Sequence, residues 1–306
     1  FLADDGRNRS CSPSRPSPSV KMLQRLPHVL KFRLGRCDLT KVFFRCEDGE
    51  LAETVFTQTP TALGLRNTVC VSSQIGCRRT CGHCSSGRLG FRRDLTASEI
   101  VSQVAAFAVN HEIDQVAFQG MGEPLDNPAV CHAANFLATS FDKLSCSADG
   151  VEHGTRARDA PSVCLSTVGK SSATLELASI APNTRLMLSV MPDVERSEPL
   201  DALLDSTDEF VRRTGHNVAL SYTMIAGLDT DEHAKILLEF MQGRRDTHVV
   251  QLVQYHDMAP GKACDSTSAK PSQPAAIRAF MARLQEHGCR VGFGQYCEFP
   301  IELLAE

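Results

Sequence analysis

"NVALSYTMIAGLDTDEHAKILLEFMQGRRDTHVVQLVQY", Asn217 to Tyr255, carries the architecture in miniature. The β-rich apolar run NVALSYTMI gives way at Thr230 to the helical segment TDEHAKILLEFM, and a second apolar run, HVVQLVQY, follows. Strand, helix and strand in that order imply two parallel strands joined by a helical crossover. The pattern continues in both directions. Toward the C-terminus come the helical QPAAIRAFMARLQEH and a short run from Cys289; toward the N-terminus come TASEIVSQVAAFAV, QVAF, VCLST from Val163, SATLELASI and RLMLSV from Arg185. Repeated βα units predict an α/β fold with a parallel sheet, either doubly wound or closed into a full or partial barrel. Active sites on such sheets lie at the C-terminal ends of the strands.

The flanks read differently. VFFRCEDGELAETVF, from Val42 to Phe56, places two β-rich runs around the turn signal Asp48-Gly49, a hairpin in a small β-rich lead-in over residues 37–62. Residues 63–306 form the predicted core domain, with an inserted surface loop from Asp142 to Ala160 that has Gly, Ser and mixed charge but no periodicity. Residues 1–36 are set apart as an extension. It starts on Phe1, and from Gly6 to Cys37 it carries Arg, Lys, Ser and Pro but no acid, a composition shared by organellar transit peptides and disordered tails.

A chain of 306 residues with 42% hydrophobic content can bury a substantial core. The net charge of -4 means that a nucleic-acid partner would have to be met by a local basic patch. Thirteen cysteines, an odd number spread over a long chain, do not form a small secreted disulfide framework, and a reducing compartment is expected. No apolar run approaches the roughly 18 residues that a membrane span needs.

The chemistry concentrates between Cys70 and Ile100, in CVSSQIGCRRTCGHCSSGRLGFRRDLTASEI. Cys77, Cys81 and Cys84 are spaced C-x3-C-x2-C. Three thiolates can hold three irons of a cubane cluster and leave the fourth open, whereas a closed zinc site needs four protein ligands. Zinc could recruit Cys70 or His83, but no second Cys or His pair stands nearby, so the spacing favours a cluster. Arg78, Arg79, Arg88, Arg92 and Arg93 surround these cysteines, as phosphate contacts or as a solvated basic loop.

The run CVSSQIGC, the C-x2-C, the pattern GF-R-x-L-T-x-x-EI and then GMGEP together resemble the radical S-adenosylmethionine methyltransferases that modify carbon 2 of adenine in 23S ribosomal RNA, and in some members transfer RNA. The resemblance runs with interruptions from about Thr40 to about Val291. It implies a partial (β/α) barrel in which Cys77, Cys81 and Cys84 ligate a 4Fe-4S cluster that also binds S-adenosylmethionine. Gly122 and Glu123 of GMGEP, Ser166 of LSTVG, Ser189 of LSVMPD and His256 of VQYHD fall on cofactor-contacting positions of the family. Glu53 matches its proton-accepting carboxylate, and Cys70 matches the cysteine that resolves a protein–RNA adduct as a disulfide. RNA, with a reducing donor such as flavodoxin or ferredoxin, is the implied set of partners, and the implied setting is the cytoplasm or an organelle.

Three departures stand out. Met191 replaces a histidine, and His256 replaces an asparagine. The family closes on an Arg-rich strand and a Cys-Gly-Gln-Leu segment whose cysteine carries the methyl group; this sequence reads RVGFGQYCEFPIELLAE there. Ungapped extension sets Ala305 opposite that cysteine, and Cys297 is the nearest thiol. Two alternatives follow from these departures: a radical enzyme without the methyl carrier that acts on another substrate, and a non-catalytic cluster- or zinc-bearing binding protein.

Overall fold

The computed structural model describes residues 24–34, 37–62, 64–81, 84–141, 160–255 and 269–294. Four strands open the chain as an antiparallel meander: β1 (Gln24–Leu34), β2 (Cys37–Arg45), β3 (Leu51–Thr61) and β4 (Gly64–Cys70). The β2–β3 hairpin closes at the predicted Asp48-Gly49 turn, with Arg45 opposite Leu51 and the Cys46 N–H on the Glu50 carbonyl at 2.8 Å. Strand β1 lies within the stretch that the sequence reading set apart as an extension. It is held by its ladder to β2, so the lead-in begins at least as early as Gln24.

The short strands β5 (Gln74–Gly76) and β6 (Phe91–Asp94) pair only with each other, and they bracket the cysteine loop. The remaining strands are β7 (Gln115–Phe118), β8 (Ser162–Thr167), β9 (Arg185–Ser189), β10 (Val218–Met224), β11 (His248–Gln254) and β12 (Val291–Gly294). They line up beside β4 in chain order, every neighbouring pair parallel. An order that never reverses has no switch point, which excludes the doubly wound alternative and gives the partial barrel. Strand β4 thus belongs to both halves, antiparallel to β3 and parallel to β7.

The helices are α1 (Ser85–Arg88), α2 (Ala97–Ala108), α3 (Ala129–Thr139), α4 (Ser171–Ile180), α5 (Leu200–Thr214), α6 (Asp231–Phe240) and α7 (Pro274–Glu286). Their ends obey local chemistry. Thr96 and Glu99 form the predicted capping box on α2, Thr230 caps α6, Pro274 opens α7, and Gly215 closes α5 with φ 72°.

Residues paired across neighbouring strands share a face, so the register sorts the barrel into two surfaces. Val163, Leu165, Leu186, Leu188, Leu220 and Leu252 are buried at 0–1% exposure in the main core, with the helices. The inner face is lined by Cys164, Met187, Ala219 and Val249, a separate buried cluster. One residue pair further toward the strand C-termini, Ser189, Ser221, Gln251 and Gly292 stand side by side on that inner face. Among the described residues no helix is long and apolar enough to cross a membrane.

Candidate active site

Among the described residues, the predicted site residues other than Glu53, which is on β3, gather at the C-terminal ends of β4, β7, β8 and β9. Two loops build most of it, and they grip each other through the backbone. The Ser73 and Gln74 N–H groups donate to the Met121 carbonyl at 2.9 and 3.2 Å, and Met121 N–H donates to Ser72 Oγ at 3.0 Å. Gln74 Oε1 accepts from the Glu123 N–H at 3.0 Å, while Gln74 Nε2 donates to Asp94 at 2.8 Å. Asn127 Nδ2 donates to the Ser73 and Leu95 carbonyls, both at 2.7 Å. Buried Gln103 fastens Ser72 from the helix side, accepting from its N–H at 2.9 Å and donating to its carbonyl at 3.0 Å. CVSSQ is therefore the socket into which GMGEP fits.

Gly122 is required twice over. Its φ is 102°, and a Cβ there would meet Gln74 Cβ and Cγ at 2.6 Å. Gly76, at φ 71°, lies against Gly90, whose carbonyl oxygen would sit 1.7 Å from an added Cβ. That contact closes the base of the cysteine loop.

Glu123 is 4% exposed, and its carboxylate accepts from Leu125 N–H at 3.0 Å, Val168 N–H at 2.9 Å and the Thr167 hydroxyl. Burial raises its pKa against the lowering pull of those hydrogen bonds. The side chain ties the GMGEP turn to the end of β8. A carboxylate offers about four acceptor positions, so three protein donors leave room for one more.

Cys77 and Cys81 are buried at 9% exposure, and Cys84 is half-buried where it begins α1. Burial pushes the Cys77 thiol up to about 12, helped by the charges of Cys84, Glu123 and Cys81; Cys81 is raised for the same first reason. Cys77 and Cys81 thus both feel the charges of Cys84 and Glu123. Yet among the described residues no three His, Cys, Asp or Glu side chains converge closely enough for a single ion. Three cysteine thiolates, each able to take a different iron, are the donor set of a cubane with one open iron, and by that chemistry they fit a cluster. The charges that act on Cys70 are those of Glu53, which raises its pKa, and Lys41, which lowers it. His83 lies outside the described residues.

A downstream loop clasps the ligand loop. Glu195 Oε2 accepts from Thr80 N–H at 2.8 Å and from Thr80 Oγ1 at 2.5 Å. Arg196 donates to the carbonyls of Ser189 at 2.9 Å and Met191 at 2.7 Å, Ser197 meets Arg79 at 3.5 Å, and Glu198 takes the Ser171 N–H at 3.2 Å.

No protein-family model matches the chain. Among curated proteins it is 32% identical over 274 residues to the ribosomal RNA large subunit methyltransferase Cfr of Lachnoclostridium phytofermentans, covering 84% of this chain and 73% of that one. It is also 32% identical over 234 residues to the "Probable dual-specificity RNA methyltransferase RlmN 2" of Protochlamydia amoebophila, covering 72% and 61% respectively. This chain belongs to the RlmN/Cfr family. A solved radical SAM methyltransferase from Sphaerobacter thermophilus shares the fold, with TM-score 0.68 and 23% identity over 90% of this chain and 80% of that one. The chain spans 61 to 73% of the length of the two curated RlmN/Cfr relatives.

Within this RlmN/Cfr chain most of the predicted site residues fall into two groups. Cys77, Cys81, Cys84, Gly122 and Glu123 form one. Glu53 and Cys70 form the other, on β3 and β4, where the Glu53 carbonyl is joined to the CVSSQ loop by Ser72 Oγ at 2.5 Å. Ser166 and Ser189 both lie on the inner barrel face, Ser166 level with Met187 and Ser189 level with Ser221. His256 and Cys297 lie outside the described residues, as does most of the Asp142–Ala160 insertion. Met191 has no part in the inner face: it is fully buried in the main core, and its sulfur accepts from the Thr223 N–H at 3.1 Å.

Most of the arginines read as phosphate contacts or as a solvated basic loop have acidic partners. Arg78 pairs with Asp94 at 3.0 Å and lies 3.6 Å over the Phe91 ring, and Arg79 pairs with Asp126 at 2.8 Å. Arg92 reaches Glu50 at 3.4 Å, and Arg93 binds Asp48 at 2.5 Å and Glu99 at 2.8 Å. The Arg92 and Arg93 pairs join the loop to the β2–β3 turn and to α2, and the Arg79 pair joins it to the segment after GMGEP. Sequence reading also missed Asn127, Thr167, Gln103 and the Glu195–Glu198 clasp, because each acts on a partner remote in the chain.

Proposed function

We propose that this chain is a radical S-adenosylmethionine RNA methyltransferase that places a methyl group on carbon 2 of an adenine in ribosomal RNA, with transfer RNA as a further substrate. The observation that carries the reading is the three-cysteine loop locked onto the GMGEP turn at the strand C-termini, with Glu53 and Cys70 on the adjoining strands. Cys77, Cys81 and Cys84 would hold the 4Fe-4S cluster; when bound, cluster and S-adenosylmethionine supply a 5'-deoxyadenosyl radical on reduction by a flavodoxin- or ferredoxin-like donor. Glu123 would offer its remaining acceptor position to the cofactor's amine, with Gly122 letting the backbone approach. Ser166 and Ser189 stand on the inner barrel face, where their hydroxyls would meet the cofactor. His256 is assigned a cofactor contact from its position in the sequence.

Glu53 would accept the proton lost from the adenine carbon, and the Cys70 thiolate would resolve the protein–RNA adduct. Cys297 is the candidate methyl carrier. The proposed setting is a reducing compartment, the cytoplasm or an organelle.

The test is anaerobic reconstitution with iron and sulfide, reduction in the presence of S-adenosylmethionine and a 23S rRNA fragment, and quantification of 5'-deoxyadenosine and 2-methyladenosine. Both products should form, and both should vanish in Cys77→Ala. Deoxyadenosine without methylated RNA would remove the methyltransferase assignment, and an iron-loaded protein that yields neither would remove the enzyme assignment.

A further inference from the structure

A lysine stands where the proposed chemistry has none. In the β2–β3–β4 register Lys41 is opposite Val55, and Val55 is opposite Cys70, while Glu53 sits two residues before Val55. Lys41, Glu53 and Cys70 therefore share one face, the face that continues into the barrel interior through the Cys70–Ala117 pairing of β4 and β7. Lys41 Nζ lies 2.9 Å from Glu53 Oε1, with the two side chains only 17% and 27% exposed. An ion pair so placed is less screened than one in open water.

We propose that Lys41 is a positioning residue that couples the proton taken up by Glu53 to the ionisation of Cys70. This rests on the assignment of Glu53 as base and Cys70 as resolving thiol. While Glu53 is ionised, its carboxylate and the Lys41 ammonium largely cancel, and Cys70 stays a neutral thiol. When Glu53 accepts a proton from the substrate carbon, the ammonium is left uncompensated on the face it shares with the sulfur, two strands away. It then favours the thiolate, and the thiol proton leaves to water. Two protons move and no electrons do. The nucleophile is thereby formed only after the base has acted, which guards against premature attack.

The electrostatics around the sulfur agree with this order. Burial pushes the Cys70 thiol up to about 12; the Glu53 charge adds to the rise, and the Lys41 charge and the Gln119 N–H oppose it. From β2 and β3 these are the titratable groups that act on Cys70, and the paired position on β7 is Ala117, which carries no charge.

The test needs no cluster, cofactor or RNA. The full-length protein is alkylated with iodoacetamide between pH 7 and pH 10, and modification is located on Cys70 by fragment-ion mass spectrometry. Glu53→Gln, a neutral stand-in for the protonated acid, should speed Cys70 alkylation at pH 8 by about tenfold, the size of one pKa unit. Lys41→Met in the same background should remove most of that gain, Lys41→Gln should do the same, and Lys41→Arg should keep it. Circular dichroism melts identify any variant that fails to fold, and the Gln and Arg variants then carry the comparison. Equal Cys70 rates with and without Lys41 in folded proteins would overturn the proposal. Predicted rates alongside a failure to methylate RNA would leave the coupling standing and remove the methyltransferase reading instead.

Discussion

Replacing Gly122 with alanine puts a single methyl group into the joint between the two site loops. The new Cβ would lie 2.6 Å from Gln74 Cβ and Cγ and 2.7 Å from Ser73 Oγ. Gln74 cannot swing aside cheaply, because its amide is held by Asp94 and by the Glu123 N–H. Overpacking of this kind costs about 1–3 kcal/mol, and the left-handed conformation adds about 1–2 kcal/mol for a residue with a Cβ. The sum is about 2–5 kcal/mol. Gly215→Ala is the matched control: its φ is 72°, but nothing lies within 4 Å of the added atom, so only the conformational part applies. Urea unfolding of the apo proteins should show Gly122→Ala losing about 1–3 kcal/mol more than Gly215→Ala. Iron retained after reconstitution should fall for Gly122→Ala and stay at the parent level for Gly215→Ala. Equal unfolding midpoints for the two variants would refute the argument that GMGEP and CVSSQ are packed without slack.

Other substitutions probe the supports of the site. Glu123→Ala would leave the Thr167 hydroxyl and the Val168 and Leu125 N–H groups without their acceptor, a loss of about 3 kcal/mol or more in chemical denaturation, whereas Glu123→Gln should recover much of it. Because the folded state raises the Glu123 pKa, its contribution to stability should decline as pH climbs above the ordinary carboxylate range, and Glu123→Gln should abolish that decline. His248 works in the opposite sense: buried and pushed down to about 4, it stays neutral in the folded protein while an unfolded histidine takes a proton below about 6.5. Melting between pH 6.5 and 4 should therefore show about 3 kcal/mol of stability lost, with a shallower slope in His248→Gln. Gln103→Leu should destabilise by about 2–4 kcal/mol, as it strands Ser72 and Thr54, and a variant within 0.5 kcal/mol of the parent would show that Gln103 does not hold CVSSQ.

Local chemistry made much of this fold legible. The Thr96–Glu99 box, the Asp48-Gly49 turn and the βα alternation are signals whose partners lie a few residues apart, and each forms as read. The helix α5 went unread, although Leu200, Leu203, Leu204 and Phe210 recur at helical spacing before Gly215. Strand β1 could not be read from composition, since its order comes from a ladder to β2. The cysteine spacing announced a metal-binding loop, but the fate of its arginines depended on Asp48, Asp94, Asp126 and Glu99, which only the tertiary fold brings near. Long-range ion pairs leave no periodic trace in a sequence.

The clasp from Glu195 to Glu198 bears on how such proteins can be recombined. Consecutive residues latch Thr80, the end of β9, Arg79 and the start of α4, so the cysteine loop is completed by a segment more than a hundred positions downstream. The portable unit is discontinuous. A chimaera that imports residues 77–93 from a relative would inherit ligands without their fastening, while one that also imports 193–198 would carry the whole part. Thr80 and Glu195 are two halves of one fastening, so stretches that look like separate loops act as one part.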